Sequence, residues 1–132
     1  MTTLLVDVAN VMGSRPDGWW RDRAGAATRL LDRLAALPGR VLDGPDGAPV
    51  HCSQVVAVVE GQAREVAGPD VPGLRVVRAP GSGDDALAAV AAELVAAGEP
   101  VLAVTADRGL RARLPAKVAV AGPGWLQARL DG

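Results

Sequence analysis

Apolar residues along this chain fall into two patterns that alternate with each other. The first consists of short runs with little polar interruption: Leu4 to Val6, Val55 to Val59, the shorter Leu74 to Arg78, Pro100 to Thr105, and Val118 to Ala121. Continuous apolar, β-branched runs of this length are the mark of strands covered on both faces, as in a parallel sheet. The second pattern has helical spacing. Ala27, Leu30, Leu31 and Leu34 share one face while Arg29, Asp32 and Arg33 share the other, which predicts a helix from about Trp19 to Leu37 with Asp17 as its N-cap and Pro38-Gly39 as its stop. From Asp84 onward Leu87, Val90, Ala91 and Leu94 repeat the spacing, and Gly98 ends it. A short helix carries Leu110 and Leu114, and a terminal one carries Trp125, Leu126 and Leu130. Residues 43–49, DGPDGAP, have the turn chemistry of a surface loop.

Strands alternating with helices predict a three-layer α/β/α domain on a mainly parallel five-stranded sheet. At 132 residues the chain is expected to form one domain over residues 1–132. Phe and Tyr are absent and the aromatics are Trp19, Trp20 and Trp125, so the core must come from Ala, Val and Leu. The formal charge of −1 argues against binding a polyanion by bulk attraction, leaving local arginine patches or a metal ion to do it. Cys52 is the sole cysteine, which excludes an internal disulfide and a cysteine zinc cluster. The N-terminus MTTLLVDVAN has no basic, long apolar leader, so a cytoplasmic protein with no membrane span is expected.

The candidate chemistry lies where strands end. Asp7, Glu60 and Asp107 each sit at or just beyond the carboxyl end of a predicted strand, and Asp84-Asp85 opens the helix after another. In an open parallel sheet those ends share one edge, where ligands bind. Carboxylates crowded there raise one another's pKa unless positive charge enters, and Mg²⁺ or Mn²⁺ is suited to hard oxygen ligands. Asn10 and Thr105 are placed to orient a carboxylate or a bound water. The opposing reading makes Asp7 and Asp107 helix caps or turn residues, Asn10 a turn stabiliser and Thr105 an ordinary strand residue.

Together, Asp7-Val8-Ala9-Asn10, the strand-ending Glu60, Asp84-Asp85-Ala86-Leu87 and Val104-Thr105-Ala106-Asp107-Arg108-Gly109-Leu110 resemble the NYN branch of the PIN-like nuclease domains. The resemblance implies a PIN-like fold, an acidic pocket for one or two Mg²⁺ or Mn²⁺ ions, and hydrolysis of RNA phosphodiester bonds. It makes Asp7, Asp84 and Asp107 the main acids, with Glu60 as a longer acid that reaches the metal through water. Asp84 and Asp85 compete for one motif position, Asp84 favoured as ligand and Asp85 as partner of the helix dipole or outer acid. A cognate inhibitor protein, known for many PIN-like toxins, and pairing into a homodimer are further partners to consider.

Arg108, Arg111 and Arg15, with Arg21 and Arg23, are candidates for phosphate contacts, and Thr105 for substrate contact. Trp19-Trp20 reads either as an aromatic platform for a base or as a pair with at least one member in the core. His51-Cys52 reads as incidental. Gly81, Gly83 and Ala86 fit a dinucleotide fingerprint, but two aspartates would fill the helix N-terminus where pyrophosphate must sit. A phosphatase with Asp7 as covalent nucleophile would want a second acid where Ala9 stands. A metal-dependent nucleotide phosphohydrolase and a non-catalytic scaffold for RNA or protein remain the alternatives.

Overall fold

The computed structural model describes residues 1–131, apart from the side chains of Gln62 and Arg64. Six strands, β1 (Thr2–Asp7), β2 (Val41–Asp43), β3 (Pro49–Val59), β4 (Leu74–Arg78), β5 (Val101–Val104) and β6 (Ala119–Ala121), form one mixed sheet. The helices are α1 (Val8–Met12), α2 (Arg23–Leu34), α3 (Gly83–Ala96), α4 (Arg108–Arg113) and α5 (Pro123–Asp131). All five expected strands form, and they pair in parallel in the order β4-β3-β1-β5-β6.

The sheet is nonetheless not a plain parallel five-stranded one. β2 adds antiparallel to the first residues of β3, along the same edge that β4 occupies further on. The segment expected to be only a surface loop is therefore the tip of a hairpin, closed by Gly44 N–H donating to Ala48 O at 2.9 Å, with Gly47 at φ +88°. A residue with a side chain disfavours that conformation.

β1 is the central strand, buried at every residue after Thr2, and it alternates its side chains between two cores. Leu4 and Val6 join Val55, Ala57, Leu102 and Val104 beneath α1, α2 and α5. Leu5 faces the other way, with Val56, Val58 and Ala103 beneath α3 and α4. Two helical layers thus enclose the sheet. The predicted faces of α2 and α3 are the buried ones, including fully buried Leu31 and Leu34. Each such leucine contributes about 1.5–3 kcal/mol of burial.

The first long helix differs from expectation at its start. Trp19–Arg21 is a separate 3₁₀ turn entered through Gly18 at φ +85°, and Asp22, not Asp17, caps α2 by accepting from Gly25 N–H at 2.9 Å. Among the described residues no helix is long and apolar enough to cross a membrane.

Candidate active site

Parallel register puts the strand exits level with one another. Asp7, the last residue of β1, pairs with Val58 of β3, and the neighbouring Val6 pairs with Val104 at the end of β5. Asp7 is 5% exposed and caps α1, accepting from Asn10 N–H at 3.3 Å. Its other oxygen accepts from the Thr105 hydroxyl at 3.0 Å. That hydroxyl in turn accepts from Asp107 N–H at 3.1 Å, while the Asn10 amide oxygen accepts from Ala106 N–H at 2.8 Å. Side chains near one strand exit thereby hold the backbone of the other. Asp107 caps α4 through Leu110 N–H at 3.0 Å.

Glu60 follows β3 and reaches α3. One of its oxygens accepts from Gly83 N–H at 2.9 Å, and a Cβ at Gly83 would stand 2.8 Å from the other. Only glycine lets the carboxylate approach the helix start this closely. Neither aspartate of the 84–85 pair caps that helix. Ser82 does, accepting from Asp84 N–H at 3.2 Å, and Asp85 is exposed and ion-paired with Arg113 at 2.8 Å. Ser82 and Asp85 stand in the S-x-x-D spacing of a capping box, the sequence signal that identifies the serine.

Electrostatics link these acids. Burial pushes the Asp7 carboxyl above its ordinary value, opposed by the Thr105 and Asn10 hydrogen bonds and reinforced by the charges of Glu60 and Asp84. Asp84 is also raised, first by desolvation, then by Asp107 and Glu60, with Arg113 opposing and Asp85 adding a little. Asp7, Glu60, Asp84 and Asp107 therefore lie within one another's fields, and none of them forms an ion pair among the described residues. They are not closed around a point: among the described residues no three His, Cys, Asp or Glu side chains stand at metal-holding distance.

The remaining expected residues divide. Thr105 is 1% exposed with its hydroxyl committed to Asp7 and Asp107, so it positions acids and is shielded from substrate. Arg111 folds back onto Thr105 O through Nε and Nη2 at 3.1 and 2.7 Å, bracing the same turn. Arg108 is exposed at the start of α4. Arg15 pairs with Asp131, which also holds Arg33. It borders a groove of about 540 Å³ that reaches Asn10 and Ala106. Cys52 is buried in β3, which pushes its thiol up to about 11 and leaves it inert at neutral pH.

The whole fold is similar to two solved structures of Rae1 (YacP) from Bacillus subtilis, the unsubstituted protein and a point variant. TM-scores are 0.69 and 0.68 at 16% identity, over 99% of this chain and 74% and 76% of those chains. At that identity the likeness establishes a shared fold. No family model matches the chain, and neither does any curated protein.

Proposed function

We propose that the chain is a PIN-like nuclease of the NYN kind that hydrolyses RNA phosphodiester bonds with Mg²⁺ or Mn²⁺. The observation that carries this reading is the acidic edge itself. Asp7 and Asp84 are both raised in pKa, first by burial and then by neighbouring carboxylates, at an edge where neither forms an ion pair among the described residues. The choice of RNA rests on the motif resemblance.

The donor set is all carboxylate oxygen, with lone pairs left over. Asp107 and Glu60 each use one oxygen in a described hydrogen bond, and the Asp84 carboxylate uses none. That suits a hydrated divalent ion, which takes one or two carboxylates and completes its shell with water and substrate phosphate. Asp7, Asp84 and Asp107 are the residues that would hold it, no more than two of them directly and the rest, with Glu60, through water. Bound there, such an ion lowers the pKa of a water and offsets charge on the phosphate oxygens.

The protein's own contribution is orientation. Thr105 and Asn10 N–H fix both oxygens of Asp7, Leu110 N–H fixes one of Asp107, and Gly83 N–H fixes one of Glu60. Asp84 is partly exposed, so its carboxylate is open to water. Arg108 is available to a phosphate oxygen. No side-chain nucleophile is required.

The capping hydrogen bonds of Asp7 and Asp107 favour one second reading, a scaffold whose carboxylates only end helices. Labelled single-stranded RNA and a nucleoside triphosphate, each incubated with Mn²⁺ and with a chelator, separate the readings. Metal-dependent shortening of the RNA that disappears in Asp84→Asn supports the nuclease. Attack on the triphosphate alone makes the chain a nucleotide phosphohydrolase, and attack on neither leaves the scaffold.

A further inference from the structure

The 3₁₀ turn Trp19–Arg21 turns its two tryptophans in different directions. Trp19 is partly buried and packs on the core beneath α1 and α2. Trp20 meets it edge-on, with ring centres 5.9 Å apart and planes at 90°, and remains 50% exposed. In a chain with three tryptophans and no Phe or Tyr, Trp20 is the one that is half exposed.

Two arginines flank the pair. The Arg21 guanidinium lies 5.9 Å from the Trp20 ring centre and that of Arg23 lies 5.3 Å from Trp19. Both arginines are exposed, and neither forms an ion pair among the described residues. Asp22 between them is occupied in capping α2. Two guanidinium groups thus flank the tryptophans, with the Asp22 carboxylate between them in sequence.

A groove of about 320 Å³ runs from this corner toward the acidic edge. Trp19 and Arg23 line one part of it, and Ala9 and Glu60 another. Ala9 is two residues beyond Asp7, and Glu60 is one of the acids that raise its pKa.

We infer that Trp20, with Arg21 and Arg23, is a landing platform for unpaired RNA: a base stacks on the indole and the arginines hold the adjoining phosphates, while the groove leads the strand toward the acidic edge. Stacking on an aromatic face tolerates any base, and arginine adds phosphate contacts and its own planar stacking. A duplex keeps its bases paired and offers the platform none. This inference rests on the nuclease reading for its choice of RNA, but the platform binds without chemistry and is tested without it.

The experiment is fluorescence anisotropy of a short labelled single-stranded RNA at low salt in a chelator, which prevents metal-dependent cleavage. It compares the unsubstituted protein with Trp20→Ala, Trp20→Phe, Arg21→Ala and Asp107→Asn, each checked for folding by circular dichroism. Loss of one stacked base weakens binding roughly tenfold in Trp20→Ala. Trp20→Phe retains most of the affinity, Arg21→Ala weakens it and flattens the salt dependence, and Asp107→Asn binds as well or better. The same RNA annealed to its complement binds more weakly. Failure of the unsubstituted protein to bind, or equal binding by Trp20→Ala, overturns the platform. So does self-association that Trp20→Ala abolishes while RNA affinity stays the same, which would make the corner a protein contact. Binding that depends on Trp20 without any cleavage in Mn²⁺ upholds the platform and refutes the nuclease; cleavage with binding indifferent to Trp20 does the reverse.

Discussion

Two groups of carboxylates in this molecule are treated in opposite ways. At the far end of α5, Asp131 is held by Arg15 and Arg33, which pull its carboxyl below the ordinary range. At the strand exits, Asp7 and Asp84 are pushed above it by burial and by each other's neighbours. The chain does not lack arginines near the second group. Arg111 lies within the same turn and spends its guanidinium on the Thr105 carbonyl, and Arg113 pairs with Asp85. A structural carboxylate receives an internal counter-charge, whereas Asp7, Glu60 and Asp107 are oriented by hydrogen bonds and, like Asp84, form no ion pair among the described residues. Such an arrangement is disfavoured on its own and favoured once positive charge enters from outside.

The largest effect is expected from removing one of the unneutralised acids. Asp84→Asn should lower metal-dependent RNA cleavage by more than about a hundredfold, beyond the 10–100-fold typical of groups that only orient a site. Without metal, the same variant should melt at a higher temperature than the unsubstituted protein at neutral pH, because it removes a charge disfavoured by desolvation and by its acidic neighbours. Loss of activity together with a lowered melting temperature would show a structural role instead.

Thr105→Val keeps the shape of a nearly inaccessible side chain while leaving the Asp107 N–H and one Asp7 oxygen without a partner. Chemical denaturation should report a loss of about 1–3 kcal/mol. Cleavage should fall by about 10–100-fold. Thr105→Ser should restore most of both.

The two groups should also respond oppositely to pH. The folded-state pKa values of Asp7 and Asp84 lie above those of the unfolded chain, so the folded protein binds more protons across that interval. Stability from these sites therefore falls as pH rises through the interval, and the penalty persists above it. Asp131 is lowered, so its contribution is present above the unfolded value and disappears as pH falls through the folded one. The melting advantage of Asp84→Asn should consequently shrink as the solution is acidified, and an advantage independent of pH would contradict the electrostatic explanation. The smallest effect belongs to the exposed pair: Arg33→Ala should leave cleavage intact and move the melting temperature little, as exposed ion pairs generally do.

Much of this arrangement was legible in the chain. Continuous apolar runs located the parallel strands, because a strand covered on both faces must be apolar throughout, and helical spacing located the buried faces of α2 and α3. The acids at Asp7, Glu60 and Asp107 followed from the parallel topology alone. Four features escaped for identifiable reasons. Trp19 and Trp20 continued the apolar pattern of α2, so the break at Asp22 was hidden by residues that serve a separate turn. The β2–β3 hairpin resembles a loop because its tip is built from Gly, Pro and Asp and its first strand has only three residues. Thr105 is expected to orient a carboxylate through its hydroxyl. That the carboxylate is Asp7, and that Asn10 holds Ala106 N–H, was hidden because these bonds join residues 98 and 96 positions apart, which local pattern cannot pair. The helix after β1 is likewise only five residues long, and the hydrogen bond from Asn10 N–H to Asp7 is what starts it.

Titration calorimetry with Mn²⁺ tests the acidic edge most directly. The unsubstituted protein should bind the ion saturably, more tightly as pH rises because the raised carboxyls of Asp7 and Asp84 must lose their protons first, and Asp84→Asn and Asp107→Asn should each weaken that binding. Absence of binding at neutral pH, or an affinity that neither substitution changes, would contradict it.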